Sequence, residues 1–261
     1  ITMTNKAGAG HPGGSLSCAD IVTYLYFNKM NVSPETAKSP DRDRFVMSKG
    51  HACPALYAAL AMRGFFNEEE LWHLRTNGGL LQGHPDMHRI NGIDMSTGSL
   101  GQGISAACGI AVAGKVDGKS YRTYTILGDG EIQEGQVWEA AMFAAHYKLD
   151  KLTAFVDYNG LQIDGDVHQV MSPAPIDEKF RAFGWHVQVI DGHSFEEIDN
   201  AVTAAEQVTD KPSAIICRTV KGKGVSFMEN DAGWHGKAPN DAEYEQAMAQ
   251  LKAQLAEVEG K

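Results

Sequence analysis

Two stretches decide how this chain folds: Tyr124-Thr125-Ile126-Leu127-Gly128-Asp129-Gly130 and Leu152-Thr153-Ala154-Phe155-Val156-Asp157-Tyr158-Asn159-Gly160. Each is a short apolar run, rich in β-branched and aromatic residues, closed by a glycine turn that carries a polar side chain. Between them, over 134–149, Val137, Trp138, Ala141, Met142 and Ala145 recur at helical spacing. Strand, loop, helix, strand is one βαβ unit. It delivers Asp129 and Asn159, thirty residues apart, to the carboxyl ends of adjacent parallel strands. Open α/β sheets bind ligands at that edge. A carboxylate and an amide oxygen suit a hard cation, and glycine on both sides of Asp129 lets a phosphate approach the backbone. The pair reads as a magnesium–diphosphate site, with calcium as the alternative ion. A Gly-rich surface turn is the plain alternative for Gly-Asp-Gly alone, but the spacing and the two strands argue against it.

The alternation continues in both directions. Ser15 to Met30 reads as a helix entered from Gly8-Ala9-Gly10-His11-Pro12-Gly13-Gly14, and Asp41 to Arg44 as a charged turn before strand Phe45 to Ser48. Ala52 to Arg63 and Glu68 to Arg75 read as amphipathic helices, and Gln102 to Val116 as a helix with a small-residue face. Beyond Asp164 the pattern is loop, helix Asp177 to Phe183, strand Trp185 to Ile190, helix Phe195 to Gln207, and strand Ser213 to Val220. A last helix runs from Asp241 to Val258, with Asn240 as N-cap and Glu243 three residues on. The expected fold is α/β, a mainly parallel sheet with helices on both faces, in one domain over residues 1–261.

With 261 residues and 43% hydrophobic content, the chain can bury a full core. A net charge of −10 argues against a nucleic-acid surface, though a local cation and backbone amides can still hold a phosphate. Cys18, Cys53, Cys108 and Cys217 show no CxxC pairing, which points to a reduced, cytoplasmic setting. Met95 to Gly114 carries no charge, but its glycines and hydroxyls favour a close-packed helix over a membrane span. The chain begins at Ile1, and a few leading residues are expected to precede it.

Four histidines sit in glycine-flanked turns: His11, His51, His84 and His235. Glycine beside an imidazole leaves room for a ligand, and carbon–carbon chemistry on a polyol needs groups that exchange protons near neutral pH. No HxxxH spacing links them, so zinc is not expected. His73, His88, His146, His168, His186 and His193 read as ordinary solvated or helix-surface side chains.

Gly-Asp-Gly followed by Asn159 resembles the cofactor motif of thiamine diphosphate enzymes, and Glu131-Ile132-Gln133-Glu134-Gly135 with Gln162-Ile163-Asp164-Gly165 narrows the resemblance to the transketolases. Ala9 to Gly14, Arg42 to Val46, Ser48 to His51, Gly83-His84-Pro85 and Thr97 to Gly103 are similar to transketolase segments, in family order. The resemblance implies a metal held by Asp129, Asn159 and the carbonyl of Leu161. It implies that His11 and His84 contact the sugar donor, that His51 and His235 contact the diphosphate, and that His235 also reaches the reacting carbons. Gly98, Ser99 and Leu100 would present backbone to the aminopyrimidine, with serine where many relatives carry proline, and Gly130 and Asn159 would touch the cofactor. Glu134 corresponds to a glutamate that links two cofactor sites across a subunit interface; its plain alternative is a first-turn acid favoured by the helix dipole.

By the same resemblance this is the amino-terminal subunit of a split transketolase. The pyrimidine-binding and carboxy-terminal domains would lie on a partner chain in a two-fold heterotetramer, and this chain alone would be inactive. The implied reaction moves a two-carbon ketol unit from a ketose phosphate to an aldose phosphate, the cofactor acting as electron sink. A pentose phosphate, a branched sugar phosphate and a sulfonated sugar all stay open. The competing readings are a deoxyxylulose-phosphate synthase, a 2-oxo-acid dehydrogenase subunit, and a non-catalytic cofactor-binding subunit. A dinucleotide-binding fold lacks its GxGxxG.

Overall fold

A computed structural model describes residues 1–260. Five strands form one sheet: β1 (Arg44–Met47), β2 (Thr123–Gly128), β3 (Leu152–Tyr158), β6 (His186–Asp191) and β7 (Ser213–Arg218). Every pairing is parallel, and the order is β1-β2-β3-β7-β6. The register aligns Gly128 with Asp157, and Asp157 with Cys217. The chain therefore leaves β2, β3 and β7 at one level, and Asp129, Asn159 and the segment 219–221 emerge side by side. Because the chain runs from β3 to the edge strand β6 and returns to β7, the order reverses between β3 and β7. Ligands bind beyond strand ends at such a switch point.

Side chains alternate between two cores, as the period of a strand requires. Tyr124, Ile126, Phe155, Ile215 and Cys217 pack on one face, against helices α3 (Ala19–Tyr24), α4 (Cys53–Met62) and α9 (Phe195–Glu206). Leu127, Ala154, Val156, Ala214 and Ile216 pack on the other, against α5 (Gln102–Val116), α6 (Gly135–His146) and α8 (Ile176–Ala182). The small-residue face of α5 has a definite use. A Cβ on Gly103 would stand 2.6 Å from the Cα of Ser48, so only glycine lets the helix start against the end of β1. No helix among the described residues is long and apolar enough to cross a membrane.

The sequence reading differs from the structure in four places. The expected helix from Ser15 to Met30 is broken into α2 (Pro12–Ser17), α3, and a π-helical turn over Leu25–Lys29 closed by Met30 N–H on the Leu25 carbonyl at 2.8 Å. Serine side chains cause the first break: Ser15 Oγ donates to the His11 carbonyl at 2.8 Å and Ser17 Oγ to the Gly14 carbonyl at 3.1 Å, back-bonding that bends helices. Glu68–His73 is a 3₁₀ turn and not an amphipathic α-helix. Leu71 is its one buried side chain, too small an apolar face to hold a longer helix. The loop after Asn159 contains a small antiparallel hairpin, β4 (Leu161–Gln162) with β5 (Gly165–Asp166), followed by α7 (Val167–Met171). At the two ends, α1 (Thr2–Ala7) has no counterpart in the sequence pattern, whereas α10 (Asp241–Glu259) starts with the full Asn240/Glu243 capping box.

Candidate cofactor site

At the switch point lies a cavity of about 210 Å³, lined by Asp129, Gly130, Asn159, Leu161, Glu134, Leu100, His51 and His235, and also by Gly14, Lys49 and Lys221. Asp129 is buried, 2% exposed. Its Oδ1 accepts from Gly130 N–H at 2.8 Å and its Oδ2 from Gly160 N–H at 2.6 Å. Burial, reinforced by the nearby Asp157 charge, pushes its carboxyl up to about 7 against those two hydrogen bonds. Asn159 Oδ1 accepts from Leu161 N–H at 3.1 Å, which folds the amide back over the start of the hairpin.

Beneath this rim is a polar network that the sequence reading does not single out. Lys49 and Asp157 form an ion pair with both side chains essentially enclosed. Lys49 Nζ also donates to the Gly14 carbonyl at 2.9 Å, and Asp157 accepts from Ser17 and Thr219 hydroxyls. Burial works against the Asp157 charge, but Lys49 and these donors outweigh it and hold the carboxyl below the usual range. Asn159 Nδ2 donates to Asp157 at 3.3 Å, so the ion pair orients the amide at the rim. Glu131 does the same for the backbone: its carboxylate accepts from Ser48 Oγ, from Gly101 N–H at 3.0 Å and from Gly128 N–H at 3.0 Å. It ties the ends of β1 and β2 to the Gly98–Gly101 turn.

Lys221 is likewise absent from the sequence candidates, since no motif surrounds it. It is 1% exposed and pairs with no carboxylate among the described residues; its one side-chain partner is His235 Nδ1, at 3.2 Å. Burial and the charge of Lys49 lower it to about 8, so it stays largely protonated at neutral pH. Three of the four turn histidines cluster beside it, with ring centroids 5.2 Å apart for His11 and His51, 5.5 Å for His11 and His235, and 5.0 Å for His51 and His235. Burial, then neighbouring positive groups, lowers His11 to about 4 and His235 to about 3, and lowers His51 further still. At pH 7 these rings are neutral, and the unbalanced positive charge of the pocket sits on Lys221. His11 Nδ1 is buried without a hydrogen-bond partner.

His84 stands apart from the three, with its ring against Gly98, where a Cβ would come within 3.0 Å. Tyr57 Oη lies 2.8 Å from the His84 carbonyl and fixes that turn. Ser99 and Leu100 are exposed at the tip of the next turn, and Glu134 is exposed at the start of α6 with no side-chain cap bond. All the sequence-derived candidates thus fall at one end of the sheet, and eight of them line the cavity itself.

The comparisons with known proteins agree with this geometry. The family model described as transketolase, thiamine diphosphate binding domain, matches residues 1–257. The chain belongs to the transketolase family. It is 50% identical over 247 residues to the 6-deoxy-6-sulfo-D-fructose transketolase subunit SqwG of Clostridium sp. (strain MSTE9), covering 95% of this chain and 90% of that one. It is 42% identical over 259 residues to an apulose-4-phosphate transketolase subunit of Phocaeicola vulgatus, covering 99% and 92%. Human transketolase is 44% identical over 264 residues, but the match spans 40% of its length. The transketolase of Campylobacter jejuni superposes with a TM-score of 0.91 at 33% identity, again with this chain spanning 40% of that protein. Thiamine diphosphate is thereby the cofactor of the domain.

Proposed function

We propose that this chain is the cofactor-holding half of a two-chain transketolase, completed by a partner subunit that carries the pyrimidine-binding and carboxy-terminal domains. The two subunit-type relatives, which it matches over most of their length, support the division. The observation that carries the reading is the convergence of the Asp129 carboxylate, the Asn159 amide, the Leu161 residue and the Lys221 ammonium on one cavity.

The residues fit a hard divalent cation. A carboxyl held up at about 7 by burial is one that a cation would return to its ionised form. Among the described residues no three His, Cys, Asp or Glu side chains are grouped so that they could hold a metal ion by themselves. A metal here would be held by Asp129, Asn159 and the Leu161 carbonyl, with diphosphate oxygens completing the shell, which suits magnesium better than zinc. Lys221 and His51 would face the diphosphate, and Gly130 would let it approach the backbone. Gly98, Ser99 and Leu100 would bear on the aminopyrimidine.

Bound thiamine diphosphate supplies the carbanion and electron sink that break and remake the carbon–carbon bond. The chain's own part is to bind, orient and move protons. The neutral rings of His11, His84 and His235 can each donate one hydrogen bond and accept another from sugar hydroxyls, and the unpaired His11 Nδ1 is a ready partner. Glu134, exposed at the start of α6, would meet another subunit in a two-fold assembly of two chains of each kind. A reducing, cytoplasmic setting fits four buried free thiols.

The substrate pair is a ketose donor and an aldose acceptor with anionic end groups. The 50%-identical relative is named for a sulfonated ketose and the other subunit-type relative for a sugar phosphate. The test is reconstitution: this chain mixed with its partner subunit, magnesium and thiamine diphosphate, and assayed with 6-deoxy-6-sulfo-D-fructose, apulose 4-phosphate and a pentulose phosphate in turn. Ketol transfer from any of them only when both chains are present supports the reading. Robust transfer by this chain alone, or none by the pair, removes it.

A further inference from the structure

His193 reads from sequence as a solvated loop histidine, yet the structure gives it two directed bonds, and its side chain is only 11% exposed. Its Nδ1 lies 2.7 Å from Asp20 Oδ2 on α3, and its Nε2 lies 2.9 Å from the backbone nitrogen of Val220. A backbone N–H can only donate, so Nε2 must be the bare acceptor nitrogen and Nδ1 must carry the proton, which it donates to Asp20. The carboxylate fixes the tautomer, and the tautomer fixes the peptide. Gly192 makes the approach feasible: a Cβ there would stand 2.8 Å from that of Cys217.

The peptide held in this way has a purpose. Thr219 N–H bonds to the Tyr158 carbonyl at 3.2 Å while its hydroxyl donates to Asp157, and Gly222 N–H bonds to the Gly13 carbonyl at 3.0 Å. Between those two anchors lies Lys221, the one cation of the cavity without an acid partner among the described residues. The carbonyl sides of this segment are held by Lys223 N–H on the Val220 carbonyl at 3.2 Å and Asn230 N–H on the Lys221 carbonyl at 3.0 Å. Without His193 the Val220 N–H would have no acceptor, and the peptide plane leading into Lys221 would lose its side-chain hold.

Resting on the cofactor reading above, we propose that His193, oriented by Asp20, is a positioning residue that holds the Val220 peptide and so aims the Lys221 ammonium at the diphosphate. It touches neither cofactor nor substrate. Its contribution is to set the backbone from which the enclosed Lys221 side chain starts, so that the ammonium is already in place when the anion binds.

The test uses His193→Leu, His193→Gln and Asp20→Ala, alone and combined with Lys221→Met. In this chain without ligand, hydrogen exchange at the Val220 amide should speed up in His193→Leu, and less so in Asp20→Ala. It should be largely restored in His193→Gln, whose side-chain oxygen can replace Nε2. In the enzyme assembled with its partner subunit, His193→Leu should weaken thiamine diphosphate binding about tenfold, the order expected for one buried hydrogen bond left without its acceptor. Turnover at saturating cofactor should change little. In the Lys221→Met background the His193→Leu effect on affinity should vanish, because the residue acts through Lys221. An unchanged affinity, or a loss that persists undiminished in the Lys221→Met background, overturns the proposal, as does an unchanged exchange rate at Val220. Failure of the parental assembly to bind thiamine diphosphate would instead overturn the cofactor reading. The two failures are distinguishable because the Val220 exchange needs no cofactor.

Discussion

Replacing Asp129 with asparagine should make the chain more stable without ligands and deaf to them with ligands. The folded protein holds this carboxyl up to about 7 from 3.8, chiefly by burial and secondarily through Asp157. Across that window the native state binds more protons than the unfolded chain, so stability falls as pH rises from about 4 to 7 and the loss is complete above. A displacement of that size corresponds to about 4 kcal/mol by order of magnitude. The Asp129→Asn side chain would remove that penalty, but its amide can accept from only one of Gly130 N–H and Gly160 N–H and must face the other with a donor. That mismatch costs about 1–3 kcal/mol. The difference leaves Asp129→Asn about 1–3 kcal/mol more stable than the parent at pH 8, and its advantage should disappear toward pH 4. Adding magnesium and thiamine diphosphate at about 100 times their dissociation constant offsets most or all of that advantage: the parental assembly gains about 2.7 kcal/mol and the variant almost nothing. For a chain of this size that is a melting shift of roughly 5–10 °C present in one protein and missing in the other. Thermal melts at pH 4.5, 6 and 8, without ligands for this chain and with ligands for the two-chain assembly, measure all of it. Equal ligand shifts would show that the cation does not sit on Asp129. A variant less stable than the parent at pH 8 would refute the electrostatic argument.

Three further outcomes follow from the same geometry. The single chain should show no ketol transfer at any cofactor concentration, and titration with the partner subunit should restore turnover at one partner per chain, read by product formation. His84→Ala should leave cofactor affinity almost unchanged and lower turnover by about 10²–10⁴-fold, whereas His51→Ala should weaken cofactor binding first; equal defects in both variants would erase the division of roles. Lys49→Met leaves Asp157 charged and enclosed without its ammonium, which should destabilise the fold by about 3–5 kcal/mol, measured by chemical denaturation; a loss below about 1 kcal/mol would mean that the carboxylate does not depend on its lysine.

Much of the molecule is legible in the chain. Strands β2 and β3 and the helix between them are readable because alternation and helical spacing are local properties, set by covalent geometry within a dozen residues. Asp129 and Asn159 are readable because each follows a strand directly, and a strand end in a parallel sheet is a defined place. The glycine-flanked histidines are readable as candidates for a similar reason. The broken first helix is not: Ser15 and Ser17 look like tolerable helix residues until their hydroxyls turn back onto carbonyls.

What the tertiary structure alone decided is which distant groups share a site. Lys221 follows β7, and it enters the cavity only because β7 inserts between β3 and β6, an order that no local pattern encodes. The same insertion puts Thr219 on Asp157 and sets His193, an ordinary loop histidine by its neighbours, against Val220, while the order β1-β2-β3 brings Lys49 across to neutralise that carboxylate. The residues that hold ligands sit in short motifs because a backbone turn must present them. The residues that charge and aim the site are scattered along the chain, because a buried ion pair or an oriented imidazole needs only proximity in space, and proximity is supplied by the order of the strands.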